Sequence, residues 1–113
     1  MKVIIAGSRD ITDKWAIVEA VGATDWIIDE VVSGAARGVD TLGEEFAAIH
    51  NIPIKQFPAE WDVHGRSAGH IRNYAMAQYA DALIAVWDGK SKGTLNMINT
   101  MANLNKPVFV YCP

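Results

Sequence analysis

Ala82-Leu83-Ile84-Ala85-Val86-Trp87 is apolar at every position, and Asp88-Gly89-Lys90-Ser91-Lys92-Gly93-Thr94 follows it directly. A strand with one face in water alternates apolar and polar residues; one that is apolar throughout is covered on both faces. The segment therefore reads as the central strand of a sheet sandwiched between helices. Outward from it, Val3-Ile4-Ile5-Ala6 is a second buried run, rich in β-branched residues and ended by Gly7. Glu30-Val31-Val32-Ser33, closed by Gly34, and Pro53 to Phe57 read as two more strands, with Pro53 tolerated at the start of its strand. Pro107 to Tyr111 supplies a fifth.

Helical patterns fill the gaps. Thr12 can cap a helix reaching Ala20 or Val21, with Trp15, Val18 and Val21 on its apolar side. Thr41-Leu42-Gly43-Glu44 fits a capping box and predicts a helix running to His50. A third helix spans Ala68 to Tyr79, and Leu95, Ile98, Met101 and Ala102 mark a fourth. Strict strand–helix alternation implies right-handed crossovers, hence an α/β fold with a parallel sheet and helices on both faces. Ligands of such sheets bind at the carboxyl ends of the strands, where strand order reverses. The segments to examine are thus Gly7–Asp10, Gly34–Asp40, Pro58–Ser67 and Asp88–Thr94.

The chain has 113 residues, the size of a single domain spanning 1–113. Half its residues are hydrophobic and a fifth are charged, as in an ordinary globular protein. A net charge of −3 argues against general coating of nucleic acid or acidic membranes, and leaves room for a local basic pocket. The single cysteine, Cys112, supports neither a disulfide framework nor a cysteine-based zinc site, and a reducing cytoplasm is the expected setting. The apolar run at the start is too short for a signal peptide, and nothing approaches a membrane-spanning length. No metal and no resident cofactor are expected.

The four strand-end segments and the helix starts after them hold Arg9, Arg37, Arg66, Arg72, Lys90 and Lys92, six of the ten basic residues. They also hold seven of the nine glycines. Glycine lets backbone N–H groups approach an anion, helix N-termini add partial positive charge, and arginine adds bidentate counter-charge. Together these describe a phosphate site. In the first loop Gly7, Ser8 and Arg9 are the candidates, Ser8 as a donor to a phosphate oxygen. In the second, Gly34, Ala35, Arg37 and Gly38 precede a helix, although the loop is neither a Walker A motif nor a G-x-G-x-x-G fingerprint. Asp40 can cap that helix, pair with Arg37, or accept from a ribose hydroxyl, with capping or pairing preferred. The third loop is long for its position. There Trp61 can stack on a base or pin the loop to the core, and His64 can act as an acid or base or sit at the surface. Arg72 and Asn73 follow one turn into the next helix. The fourth loop, with Asp88, Gly89, Ser91, Lys92, Gly93 and Thr94, is the clearest anion-binding candidate.

Four motifs, Ser-Gly-Ala-Ala-Arg-Gly-Val-Asp (33–40), Phe-Pro-Ala-Glu-Trp-Asp (57–62), Ala-Gly-His-Ile-Arg-Asn (68–73) and Asp-Gly-Lys-Ser-Lys-Gly-Thr (88–94), resemble the YspA/YpsA-related branch of the SLOG superfamily. That superfamily joins the DNA-processing protein DprA (Smf) to the LOG phosphoribohydrolases. The resemblance implies a Rossmann-like three-layer α/β/α domain, a five-stranded parallel sheet in the order 3-2-1-4-5, frequent dimers, and a pocket for nucleotides or nucleotide-derived, ADP-ribose-like or NAD-like ligands. The LOG enzymes pair an arginine with a glutamate after Gly-Gly-x-Gly-Thr. Arg72 matches the neighbourhood of the arginine, but Leu95-Asn96-Met97 follows Gly93-Thr94 and the glutamate is missing. Cleavage of an N-glycosidic bond calls for a carboxylate, as glycoside hydrolysis does, and Glu60, Asp62 or Asp88 would have to supply it.

The leading expectation is therefore a domain that binds a nucleotide derivative as a sensor or sequestering protein. The alternatives are a LOG-like phosphoribohydrolase, with Arg72, Glu60 and Asp62 as catalytic candidates, and a DprA-like single-stranded DNA binder, which this chain's charge disfavours.

Overall fold

The computed structural model describes residues 1–113. Its elements run β1 (Lys2–Gly7), α1 (Lys14–Gly22), β2 (Glu30–Ser33), α2 (Val39–Ile49), β3 (Ile54–Gln56), α3 (Trp61–His64), α4 (Ala68–Tyr79), β4 (Ala82–Val86), α5 (Lys92–Asn103) and β5 (Val108–Tyr111). A 3-10 turn, Gly65–Ser67, links α3 to α4. The five strands form one sheet in the order β3-β2-β1-β4-β5, and every pair is parallel. This is the Rossmann-like fold and the strand order the family resemblance implies.

Period-two alternation along the strands builds the two cores. Val3 and Ile5 of β1 point to one face and pack with Ile17 and Ala20 of α1 and Ala47 of α2. Ile4 and Ala6 point to the other and pack with Met76 and Ala77 of α4 and Met97 and Met101 of α5. All five residues of β4 are buried, as a strand covered on both faces requires.

Three local expectations are corrected. Asp13, not Thr12, caps α1, its side chain accepting from the Trp15 N–H. That register turns Ala16, Ile17 and Ala20 toward the sheet and leaves Trp15 and Val18 exposed. Small residues let the helix approach the strands closely, and an indole on that face would hold it off. Helix α2 begins at Val39, with Gly38 at its N-cap and no side-chain cap, so the Thr41–Glu44 box does not form. The Thr41 hydroxyl donates to the Ala36 carbonyl, and Glu44 accepts from Ser33 Oγ and Gln56 Nε2 instead. The third loop is also not irregular throughout, since it contains α3 and the 3-10 turn.

Lys106 closes the lower end of α4. Its Nζ donates to the carbonyls of Ala77, Gln78 and Ala80 at 2.7, 3.1 and 2.8 Å. The ammonium thus satisfies carbonyls that a helix C-terminus leaves unpaired, at the negative end of its dipole. Lys106→Met keeps the aliphatic stem and removes all three bonds. It should cost about 1–3 kcal/mol, read as a lowered urea midpoint with an unchanged slope.

Candidate functional site

Strand order reverses between β1 and β4, and the loops after these two strands are tied together there. The Ser8 Oγ accepts from the Asp88 N–H at 2.9 Å, and the Ser8 N–H donates to the Val86 carbonyl at 3.1 Å. Gly38 sits beside this junction with φ +74°, and a Cβ there would lie 2.5 Å from the Arg9 carbonyl oxygen. Only glycine permits both the backbone conformation and the approach. The close contact places the start of α2 against the first loop.

Two adjoining clefts open at this edge of the sheet, of about 230 and 320 Å³, and both are lined by Arg9, Ala36, Trp61 and Arg72. The first runs along the N-terminal ends of α4 and α5. Its floor is Ala6, Met76 and Met97, and its walls include Arg66, Gly69, His70, Asn73, Ser91, Gly93, Thr94 and Asp40. The second is lined by Gly34, Ala35, Ala36, Arg37, Pro58 and Ala59 beside the shared residues. Ala35 holds φ +59° there, a left-handed conformation that side chains rarely adopt and that tends to occur at functional loops.

Arg72 is the hub. Its Nη1 donates to the Gly34 carbonyl at 2.6 Å and its Nε to Asn73 Oδ1 at 3.0 Å. Asn73 in turn donates through Nδ2 to the Gly93 carbonyl and to Asn96 Oδ1. One chain of hydrogen bonds therefore joins the second loop, α4 and the start of α5. Burial pulls the Arg72 pKa below its ordinary value, and the nearby Asp40 opposes that shift. At α5 the Ser91 side chain accepts from the Thr94 N–H, the cap that opens the helix beside the cleft.

The sequence-derived candidates divide into three groups. Gly7, Arg9, Asp40, Trp61, Arg72, Asn73, Ser91, Gly93 and Thr94 line the first cleft. Gly34, Ala35 and Arg37 line the second. Ser8, Gly38, Asp88, Gly89 and Lys92 line neither. Ser8 is buried and occupied by the loop junction. Asp88 accepts the N–H groups of Lys90 and Ser91, which hold its carboxyl below the usual range. Among the catalytic candidates, Glu60 faces a separate groove with His64, and Asp62 lines neither cleft. Arg66 was counted among the basic residues of the strand-end loops but not among the site candidates, and His70 and the two methionines of the floor were not singled out by sequence. Arg66, Gly69, His70 and Asn73 do share i, i+3, i+4, i+7 spacing, the signal that places them along one side of α4 and the turn before it.

Asp40 is neither a helix cap nor a partner of Arg37. It is buried in the first turn of α2, accepts the Ala36 N–H through Oδ2 at 3.2 Å, and shares the space beside Gly34 with Arg72. Burial raises its pKa, against the lowering effects of the Ala36 N–H and Arg72. A carboxyl whose pKa is raised on folding binds its proton more tightly in the native state. Its destabilising effect appears as pH rises past the unfolded value and is complete above the raised one. The stability of the wild type minus that of Asp40→Asn should therefore fall as pH climbs from about 3.8 toward neutral. Urea denaturation of both proteins across that range reads the difference, and a flat difference would contradict the shift.

Fold and strand-end cleft define a doubly wound, Rossmann-like α/β domain of the kind that carries its site at a topological switch point. More narrowly, the chain belongs to the YspA, cpYpsA-related SLOG family, whose model matches residues 1–64. The Gene 61 protein of Mycobacterium phage D29 is 31% identical over 117 residues, covering 95% of this chain and 93% of that one. The X-ray structure of DNA processing protein A (DprA) from Streptococcus pneumoniae superposes with a TM-score of 0.79 at 17% identity, over 99% of this chain. The chain spans 50% of the DprA chain, and the likeness is one of fold. No helix is long and apolar enough to cross a membrane.

Proposed function

We propose that the first cleft binds a nucleotide or nucleotide-derived ligand carrying phosphate, of the AMP, ADP-ribose or NAD kind, and that the protein acts as a sensor or sequestering subunit. The observation that carries this reading is the convergence of Arg9, Arg66 and Arg72 on one cleft with the capped N-terminus of α5. Arginine forks and a helix N-terminus are complementary to phosphate oxygens. The half-exposed Trp61 indole at the mouth offers a stacking surface for a base. Membership of a SLOG family supports the reading at the level of nucleotide-related binding. The hydrolytic alternative has less support, because neither Glu60 nor Asp62 lines this cleft.

Thermal-shift titration with AMP, ADP-ribose, NAD and inorganic phosphate tests it. A ligand at 100 times its Kd should add about 2.7 kcal/mol of stability, so melting should rise with concentration. Absence of any shift with all four at millimolar concentration would rule the reading out.

A further inference from the structure

A phosphate site accounts for the arginines but not for Asp40. It is the one carboxylate lining either cleft, it is only 6% exposed, and it faces the same space as Arg9, Arg66 and Arg72. A negative group in that position opposes a phosphate. Its two oxygens are unequal. Oδ2 is anchored by the Ala36 N–H, while Oδ1 receives no hydrogen bond from the protein and is not sealed from solvent, in a residue that lines the first cleft. No pairing with Arg72 uses it: Arg72 Nη1 and Asp40 Oδ2 both border the space that a Cβ on Gly34 would fill, without forming a direct ion pair. A half-buried guanidinium and a buried carboxylate are thus held side by side with one acceptor oxygen free.

The geometry points to Asp40 as the specificity-determining acceptor for a sugar hydroxyl, which makes the cleft select nucleotides that carry that hydroxyl over analogues that lack it. An ionised carboxylate accepts and cannot donate, so Oδ1 suits an O–H and repels a phosphate oxygen. The division of labour follows: the arginines and the start of α5 take the phosphate, and Asp40 takes the sugar. A site built to bond a hydroxyl rejects the analogue lacking it, because the buried polar group is then left unpaired. Single-stranded DNA, whose internal sugars carry no free hydroxyl, is disfavoured by the same device.

This inference rests on the nucleotide reading above, and the test separates the two. Calorimetric titrations of wild type, Asp40→Asn and Asp40→Ala use AMP, 2′-deoxy-AMP, 3′-deoxy-AMP and inorganic phosphate. Wild type should bind AMP at least tenfold more tightly than one of the deoxy forms. Asp40→Ala should bring that ratio near one, and Asp40→Asn, whose amide oxygen is a weaker acceptor, should leave a smaller ratio than the wild type. Both variants should bind inorganic phosphate at least as tightly as wild type, since a repulsion is removed. If Asp40 served only to balance Arg72, its loss would change all nucleotides by one factor and leave the ratio intact. Equal affinity of wild type for AMP and both deoxy forms overturns the role of Asp40 alone. Binding of none of the four probes overturns the nucleotide reading and this inference together.

Discussion

Gly7→Ala should unfold this protein or bring it close to unfolding. A Cβ at Gly7 would lie 1.8 Å from the Val86 carbonyl oxygen and 2.8 Å from its carbonyl carbon. Both are backbone atoms of β4, the central partner of β1, paired in register at this very position. No rotamer change relieves a clash with backbone, so the two strands must part where they carry the switch point. The Ser8 N–H to Val86 bond and the Ser8 to Asp88 bond go with them. The cost should be on the order of 4 kcal/mol or more, which places the substitution in the extreme tail of single changes. Against a total stability of about 5–15 kcal/mol for a domain, that is a large fraction. Gly22→Ala is the internal control, because a Cβ there meets nothing within 4 Å. Urea titration should show a midpoint near or above the wild type for Gly22→Ala, and a collapsed or absent transition for Gly7→Ala. A Gly7→Ala midpoint within error of wild type would mean the strand contact is far looser than described.

Arg72→Ala should weaken ligand binding by about thirtyfold or more. The side chain is the only group shared by both clefts that is also fixed at two points, the Gly34 carbonyl and Asn73 Oδ1. Removing a charged, hydrogen-bonded partner of a bound phosphate typically costs about 2–5 kcal/mol, a loss of thirtyfold to several thousandfold in Kd. Stability should fall as well, by about 1–3 kcal/mol, because the Gly34 carbonyl loses its donor and Asp40 loses its compensating charge. Arg72→Lys keeps the charge but not the fork, so it should bind more weakly than wild type and more tightly than Arg72→Ala. Arg37→Ala, at the exposed rim of the second cleft, should change affinity several-fold at most. Calorimetry with AMP and ADP-ribose on the four proteins gives the order. An Arg37→Ala defect as deep as that of Arg72→Ala would move the phosphate out of the first cleft.

Four of the five strands were legible because each holds a short apolar run bounded by glycine, proline or charge, whereas the exposed edge strand Ile54-Lys55-Gln56 was marked by the prolines on either side of it. A doubly covered sheet requires such runs, and the all-apolar Ala82–Val86 segment is its clearest case. The helix starts were less legible. Thr12 and Asp13 are both competent caps, and only packing of Ala16, Ile17 and Ala20 on the sheet selects between them. At α2 a glycine jammed against the Arg9 backbone begins the helix ahead of a capping box that sequence alone favours. Lys106 reads in sequence as a loop lysine, because the carbonyls it bonds lie 26 to 29 residues away.

The same division runs through the site. The amino-acid sequence determined the α/β architecture and the gathering of arginine and glycine at the carboxyl edge of the sheet, since periodicity and loop composition are local properties of the chain. Tertiary structure decided which of those residues face a common space. It drew Arg66 and His70 into the cleft, buried Ser8 as a tie between two loops, engaged the exposed Asp88 with the N–H groups of its own turn, and left Glu60 and Asp62 outside. It also made Asp40 the carboxylate of the site, because its role depends on which oxygen the Ala36 N–H occupies and on the guanidinium that α4 brings to the same face of Gly34. Contacts between residues far apart in the chain depend on how helices dock on the sheet, and no local pattern records that docking.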